Sequence, residues 1–309
     1  MELDAYLLVP LAIAAAPLVW VLLITAGVAA LTAVALWIGR NDPRDEVQEA
    51  LFAGRRFSLP ARAVGLVVEG FWQSVAFALQ LLHHALRGSR RVWIDPAGSG
   101  TPVVLVAGYL ENSGTMWVLG RKLRARGFRV VHVDLPNTLR RIEKNAAWLR
   151  DTLESIRQET GAAELAYVGH SMGGVIGRAL LHCDPPPPLP IKTMVTIGSP
   201  HRGTRVARWG PGPSARDMCP LSEHVCRYPH GQSRPVPVHT LVAVQDEITT
   251  PAWAAVLGEG EDVLLDLPLG HVGPLFLSRV ADQVERWLLA AGVARVAAPD
   301  GRPAAVQAA

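Results

Sequence analysis

Charge is scarce in this chain of 309 residues: Asp, Glu, Lys and Arg make up 18%, against a hydrophobic share of 50%. The net charge of +3 is small and dispersed, and no Arg/Lys stripe interleaves with aromatics, which excludes nucleic acid as a partner. Cysteine is rarer still. Three thiols cannot all pair: Cys219 and Cys226 are close enough in sequence to bridge, Cys183 would stay free, and the compartment is left open. Cys219, His224, Cys226 and His230 do not match a structural zinc spacing, so a loop disulfide or free thiols is the reading there and no metal is expected. No internal repeat is present, and the length suits one sizeable domain with an appendage, or two small domains.

Apolar sequence, by contrast, is abundant and uneven. Residues 5–37 contain no charged side chain, a run long enough for one tilted membrane span and marginal for a hairpin turning near Pro17. A cleaved signal peptide wants a basic start and a short apolar core, and this chain begins Met-Glu-Leu-Asp and stays apolar too long. No Lys or Arg precedes the run, whereas Arg40, Arg44, Arg55 and Arg56 follow it, so the positive-inside rule places the remainder of the chain in the cytoplasm. Residues 41–60 read as a linker. Residues 61–88 are apolar but interrupted by Glu69, Gln73, Gln80, His83 and His84, and suit either an interfacial amphipathic helix, with Trp72 and Phe77 at the headgroups, or a helix packed on the main domain.

Beyond Arg91 the pattern changes. Short runs rich in β-branched residues and stopped by Gly or Pro occur at 102–108, 128–136, 164–169, 192–200, 238–244 and 262–268. Helix-like stretches alternate with them, one carrying Leu149, Leu153 and Ile156 on a single face. Near-continuous apolar strands alternating with helices predict an α/β fold whose mostly parallel sheet is covered on both faces. Residues 201–237 form a long Gly-, Pro-, Arg- and His-rich connection of the kind that is usually functional, such as a lid, or else disordered.

The stretch YVGHSMGGVIGRAL places Gly169-His170-Ser171-Met172-Gly173 between a strand and a helix. That is G-x-S-x-G in the setting of a nucleophile elbow, where a strained strand-to-helix turn exposes a serine oxygen at the carboxyl edge of the sheet. Glycines two before and two after the serine relieve the approach of strand and helix. An elbow needs a base and an orienting acid in the order Ser, Asp/Glu, His. His271 follows the last strand and a Pro-Leu-Gly turn and is the candidate base; His132, His170, His182 and His201 are better placed for packing or loop roles. Asp246, just past the penultimate strand, is the candidate acid, with Glu247 as its adjacent rival and Asp266 less well placed. Backbone N–H groups of Met172 and Tyr109 are the candidate oxyanion donors, with Gly108 allowing close approach.

In this order the segments VVLVAGYLENSGTMW, FRVVHVDLP, AYVGHSMGGVIGRAL, TIGSPHRGT, VAVQDEITTP and LGHVGPL resemble those of α/β-hydrolase lipases, most closely the small bacterial triacylglycerol lipases and related esterases, over roughly residues 100–290. The resemblance implies the α/β-hydrolase fold preceded here by an N-terminal transmembrane segment, a Ser171–Asp246–His271 triad, and donors at Tyr109 and Met172. It also implies an acyl ester or lipid substrate and no cofactor. The expected organisation is an anchor over 1–40, linker and helix over 41–90, a catalytic domain over 91–293 with a lid-like loop at 201–237, and a flexible tail over 294–309. Many relatives carry His-Gly before the oxyanion residue where this chain has Ala107-Gly108. The anchor has no counterpart in the small secreted lipases, so a bacterial cell membrane is the expected location. An acyltransferase, thioesterase or glycolipid deacylase would use the same residues, and a silent binding module would have lost one of them.

Overall fold

The computed structural model describes residues 57–95, 100–228, 230–231 and 236–296, with Trp20, Leu23, Ile24, Ala26, Gly27 and Ala30 of the N-terminal apolar run. The rest of that run, the basic flank at residues 40–56 and the tail from residue 297 lie outside the described residues, so the anchor and its orientation fall there.

Seven strands form one sheet: β1 (Val92–Ile94), β2 (Pro102–Val106), β3 (Arg129–Val133), β4 (Leu165–His170), β5 (Ile191–Ile197), β6 (Val238–Ala243) and β7 (Asp262–Leu265). Their order is β1-β3-β2-β4-β5-β6-β7, with β1 antiparallel to β3 and every other pair parallel. The inner strands are buried on both faces, as their unbroken apolar runs require. Alternate residues serve opposite layers. Val104 and Val106 pack with Ile142, Leu149, Leu153 and Ile156 of one helix layer, while Val103 and Leu105 pack with Leu119, Val284 and Trp287 of the other.

The first layer comprises α3 (Ile142–Thr160) and α4 (Met172–Leu180), and the second α2 (Trp117–Ala125) and α7 (Ser278–Ala290). Leu149, Leu153 and Ile156 recur at helical spacing and are fully buried. Burial of each contributes about 1.5–3 kcal/mol. Gly161, in the left-handed conformation at φ 64°, stops α3.

Because β3 and β4 flank β2 on opposite sides, the chain reverses direction across the sheet there, and such switch points are where open α/β sheets bind ligands, outside the carboxyl ends of the strands. Residues 201–237 contain a 3₁₀ turn (Arg205–Trp209) and the short helices α5 (Gly212–Asp217) and α6 (Glu223–Arg227). Asp217 ties them to α3 by accepting the Ile142 N–H, and His224 by pairing with Glu143.

Before the sheet comes α1 (Leu59–Arg87), capped by the Ser58 hydroxyl and ended at Gly88. Among the described residues it is the one helix long and apolar enough to cross a membrane. It packs on the domain through Trp72, stacked on Phe276, and through His83, paired with Asp134 just beyond β3.

Candidate active site

Ser171 sits between the last residue of β4 and the first of α4, at φ 52° and ψ −126°. That conformation is costly for a residue with a Cβ, on the order of 1–3 kcal/mol, and is held by a hydrogen bond from its N–H to Ile197 O at 2.9 Å. The flanking glycines make the turn sterically feasible. A Cβ at Gly169 would lie 2.5 Å from Gly174 N, and one at Gly173 would lie 2.3 Å from Val106 O. At the end of β2, a Cβ on Gly108 would lie 2.7 Å from Ser171 Cβ and 3.1 Å from its Oγ. The β2 turn therefore lies directly against the serine.

His271 lies beyond β7 in the turn leading to the 3₁₀ segment Gly273–Phe276. Its Nδ1 is 2.8 Å from Asp246 Oδ2 and 3.0 Å from Oδ1. Asp246 is itself held, because Oδ1 accepts the N–H groups of Ile248 and Thr249 at 2.9 and 2.7 Å. The adjacent Glu247 takes a different part of the histidine: its carboxylate accepts the main-chain N–H of His271 at 3.1 Å. Asp266 is exposed beyond β7. The His170 and His271 rings lie 4.7 Å apart, and His170 Nε2 is 3.2 Å from His271 O, so the elbow touches the histidine turn on both sides. Among the described residues Ser171 Oγ makes no hydrogen bond, and neither do the N–H groups of Tyr109 and Met172. Met172, as the first residue of α4, has no acceptor within its helix.

A family model described as the alpha/beta hydrolase fold matches residues 101–212. Among solved structures, lipase B of Aspergillus fumigatus superposes with a TM-score of 0.56 at 21% identity, over 70% of this chain and 58% of that one. The chain has the α/β-hydrolase fold. A mature lipase of Bacillus licheniformis (TM-score 0.49, 15% identity, 66% of this chain and 98% of that) and a thermophilic esterase of Thermogutta terrifontis (0.47, 20%, 65% and 93%) are more distant. No curated protein matches the sequence.

The sequence pattern assigned no role to two carboxylates that the fold brings to this site. Glu69 reaches from α1 into the histidine turn, where it accepts N–H groups from Gly270 (2.9 Å), Val272 (2.7 Å) and Gly273 (3.1 Å). Gln73, one turn along α1, donates to Glu247 at 2.7 Å and to Glu69 at 3.4 Å, linking the two acids around the turn. Glu111 accepts the Gly108 N–H at 2.8 Å and lies 2.9 Å from His170 Nδ1. The nucleophile's neighbour and the β2 turn are thereby joined through one carboxylate. The only local signal for Glu69 was an isolated acid in an apolar helix, which an ordinary solvated position explains equally well.

The electrostatics follow from this crowding. Burial alone would depress His271, but the charge and hydrogen bond of Asp246, with Glu247 and Glu111 behind it, raise it to about 9. Burial pushes Glu247 well above the usual carboxylate range, reinforced by the charges of Glu69 and Asp246. Glu69 is also raised by burial, against the pull of its three N–H donors. Burial acts the same way on Glu111, yet His170 and His271 outweigh it and hold that carboxyl below its usual range.

The remaining histidines serve the fold. His132, inside β3, is driven down to about 3 by burial and by Arg87 and His83. His201 lies buried against Thr196 Oγ1, and His182 stacks on Tyr228. Tyr109 extends from the β2 turn to donate its hydroxyl to Pro211 O, which brings the start of α5 beside that turn. Cys183, Cys219 and Cys226 are free thiols, and among the described residues no cluster of His, Cys, Asp and Glu is placed to hold a metal ion.

Proposed function

We propose that this α/β-hydrolase is a membrane-anchored serine ester hydrolase, acting through Ser171, His271 and Asp246 on a lipid or other acyl ester. The observation that carries the reading is the pairing of His271 Nδ1 with a braced Asp246 carboxylate at 2.8 Å, next to a serine held at positive φ on the carboxyl edge of a parallel sheet. The likeness in fold to lipase B of Aspergillus fumigatus supports ester hydrolysis as the reaction class. The uncharged run at residues 5–37 supports anchoring, and the arginines that follow it favour a cytoplasmic catalytic domain on a bacterial cell membrane.

In this mechanism Ser171 Oγ attacks the acyl carbonyl and its proton passes to His271 Nε2. The oxyanion is received by the free N–H groups of Tyr109 and Met172. Collapse expels the alcohol, which takes the proton from His271, and leaves Ser171 acylated. Water then attacks the acyl carbon, gives its proton to His271, and releases the acid as that proton returns to Ser171. Asp246 keeps the imidazole in the tautomer with Nδ1–H and stabilises its cation. The turn at Pro211, resting on Tyr109, forms a lid-like border of the acyl site.

Glu69 of α1 holds the histidine turn, so the test uses the full chain in detergent or vesicles. Turnover of p-nitrophenyl esters from short to long acyl chains is compared with that of Ser171→Ala. The variant is expected to lose activity by roughly three orders of magnitude or more. Preference for long chains identifies a lipase and preference for short ones a carboxylesterase. Equal rates in a folded wild type and the alanine variant would overturn the proposal.

A further inference from the structure

Helix α1 carries apolar side chains on both of its sides, one packed on the domain and one facing out. Gly65, Glu69, Gln73, Ala76, Gln80 and His83 recur three or four residues apart on the inner side, where Trp72, Val75 and Leu79 pack beside them on the core. That side is gripped by the domain along its length. A Cβ on Gly65 would lie 1.9 Å from Pro268 O, Glu69 binds the histidine turn, Gln80 O accepts from Asn112, and His83 meets Asp134. The opposite stripe is apolar and open to solvent, with Val67 57%, Leu82 47% and Leu86 75% exposed. An amphipathic helix ordinarily turns its apolar face to the core, and a contiguous exposed apolar stripe marks an interaction surface.

We propose that this outward stripe of α1 lies in the headgroup layer of an anionic lipid bilayer, so that the element bracing the histidine turn is itself seated on the membrane. The inference rests on the membrane anchoring proposed above. Three observations point to lipid as the occupant. Trp20, from the run read as the anchor, meets Phe77 on α1 with ring centroids 5.1 Å apart, which puts the anchor and this stripe on the same side of the molecule. Contact there does not cover the stripe, since Trp20 remains 41% and Phe77 40% exposed. Finally, the stripe carries no acid: Glu69 is the only acid in α1 and is buried, and just beyond the helix the exposed Arg90 holds its guanidinium over the Trp93 ring at 5.6 Å. Arginine with tryptophan suits an anionic headgroup region.

Although α1 is long enough to span, it cannot do so while gripped from Gly65 to His83. Crossing would carry the polar loops at Asn112, Asp134 and Gly270 into hydrocarbon. The geometry places α1 in the plane of the interface, its apolar side buried by about 5–10 Å.

The full chain, with its three native cysteines replaced by serine, is reconstituted in vesicles of phosphatidylcholine and phosphatidylglycerol. An environment-sensitive fluorophore is attached at Leu82→Cys, or at Glu154→Cys on α3 as the aqueous control. Brominated lipid should quench the Leu82 probe roughly twofold or more, and iodide should quench only the Glu154 probe. Flotation with the vesicles reports the anchor separately. A chain that floats but leaves the Leu82 probe open to iodide overturns this proposal and spares the anchor. A probe insensitive to both quenchers also overturns it, since protein, the N-terminal run or a second copy, then covers the stripe. A chain that does not float overturns the anchor and this proposal together.

Discussion

Replacing Asp246 by Asn removes the charge facing His271 while keeping the side chain's shape. Two consequences can be worked from the contacts. Burial by itself depresses the imidazole, and Asp246 is the leading influence that lifts it to about 9, ahead of Glu247 and Glu111. With that charge gone, His271 should fall back to its ordinary value or below. A fall of about 2–3 pH units corresponds to ~3–4 kcal/mol less stabilisation of the imidazolium formed at each acyl-transfer step. The second consequence is geometric. Asp246 Oδ1 already accepts the N–H groups of Ile248 and Thr249, so the Asn oxygen will stay there. Its amide nitrogen then takes the place of Oδ2 opposite His271 Nδ1 and favours the tautomer protonated on Nε2, which cannot accept the Ser171 proton. Together these should lower kcat by on the order of 10³–10⁴, the loss seen when a triad acid is neutralised elsewhere. The assay is kcat/KM from about pH 5 to about pH 10 for wild type, Asp246→Asn and Glu247→Gln. Since the base must be neutral, wild-type activity should fall as pH drops through a value well above that of a free imidazole. Glu247→Gln, which touches only the main chain of His271, should remain within about tenfold of wild type. A dead Glu247→Gln beside an active Asp246→Asn would refute the assignment of the orienting acid.

Glu69→Ala leaves the N–H groups of Gly270, Val272 and Gly273 without their acceptor. At about 1–3 kcal/mol for each buried N–H, offset by relief of the crowding with Glu247, the fold should lose about 2–4 kcal/mol, read as a lower melting temperature. The same variant should lower kcat about tenfold with KM nearly unchanged, because the turn carries the base; wild-type kcat would count against bracing by α1. Glu247 lies well above the usual 4.5 in the folded chain, so the stability tied to its neutral form is complete below that pH and is lost as pH rises through the raised value. Glu247→Gln, which stays neutral, should therefore melt higher than wild type at alkaline pH and almost equally at about pH 4, and an unchanged difference across that range would contradict the proton assignment.

Much of the fold was legible because its signals are local. The apolar runs that became β2 to β6 report burial on two faces, and Leu149, Leu153 and Ile156 report a helix with one buried side. The G-x-S-x-G turn is equally local, since its glycines answer contacts made within a few residues or with the next strand. The three-residue β1, antiparallel at the edge, is too short to leave a pattern.

Sequence alone thus determined the strand order of chemistry: a serine after one strand, acids after a later one, a histidine after the last. Only the tertiary structure decided which acid meets which part of His271, because Asp246 and Glu247 are neighbours with the same charge, and the turn geometry alone sends one to the ring and the other to the main chain. The same is true of Glu69, which stands 201 residues before the Gly270 N–H it accepts. Read locally, an acid in an apolar helix marks the side facing water. Here the docking of α1 turns Glu69 inward with Trp72, Val75 and Leu79, because three N–H groups of the histidine turn need an acceptor more than Glu69 needs solvent, and a second apolar stripe is left facing out.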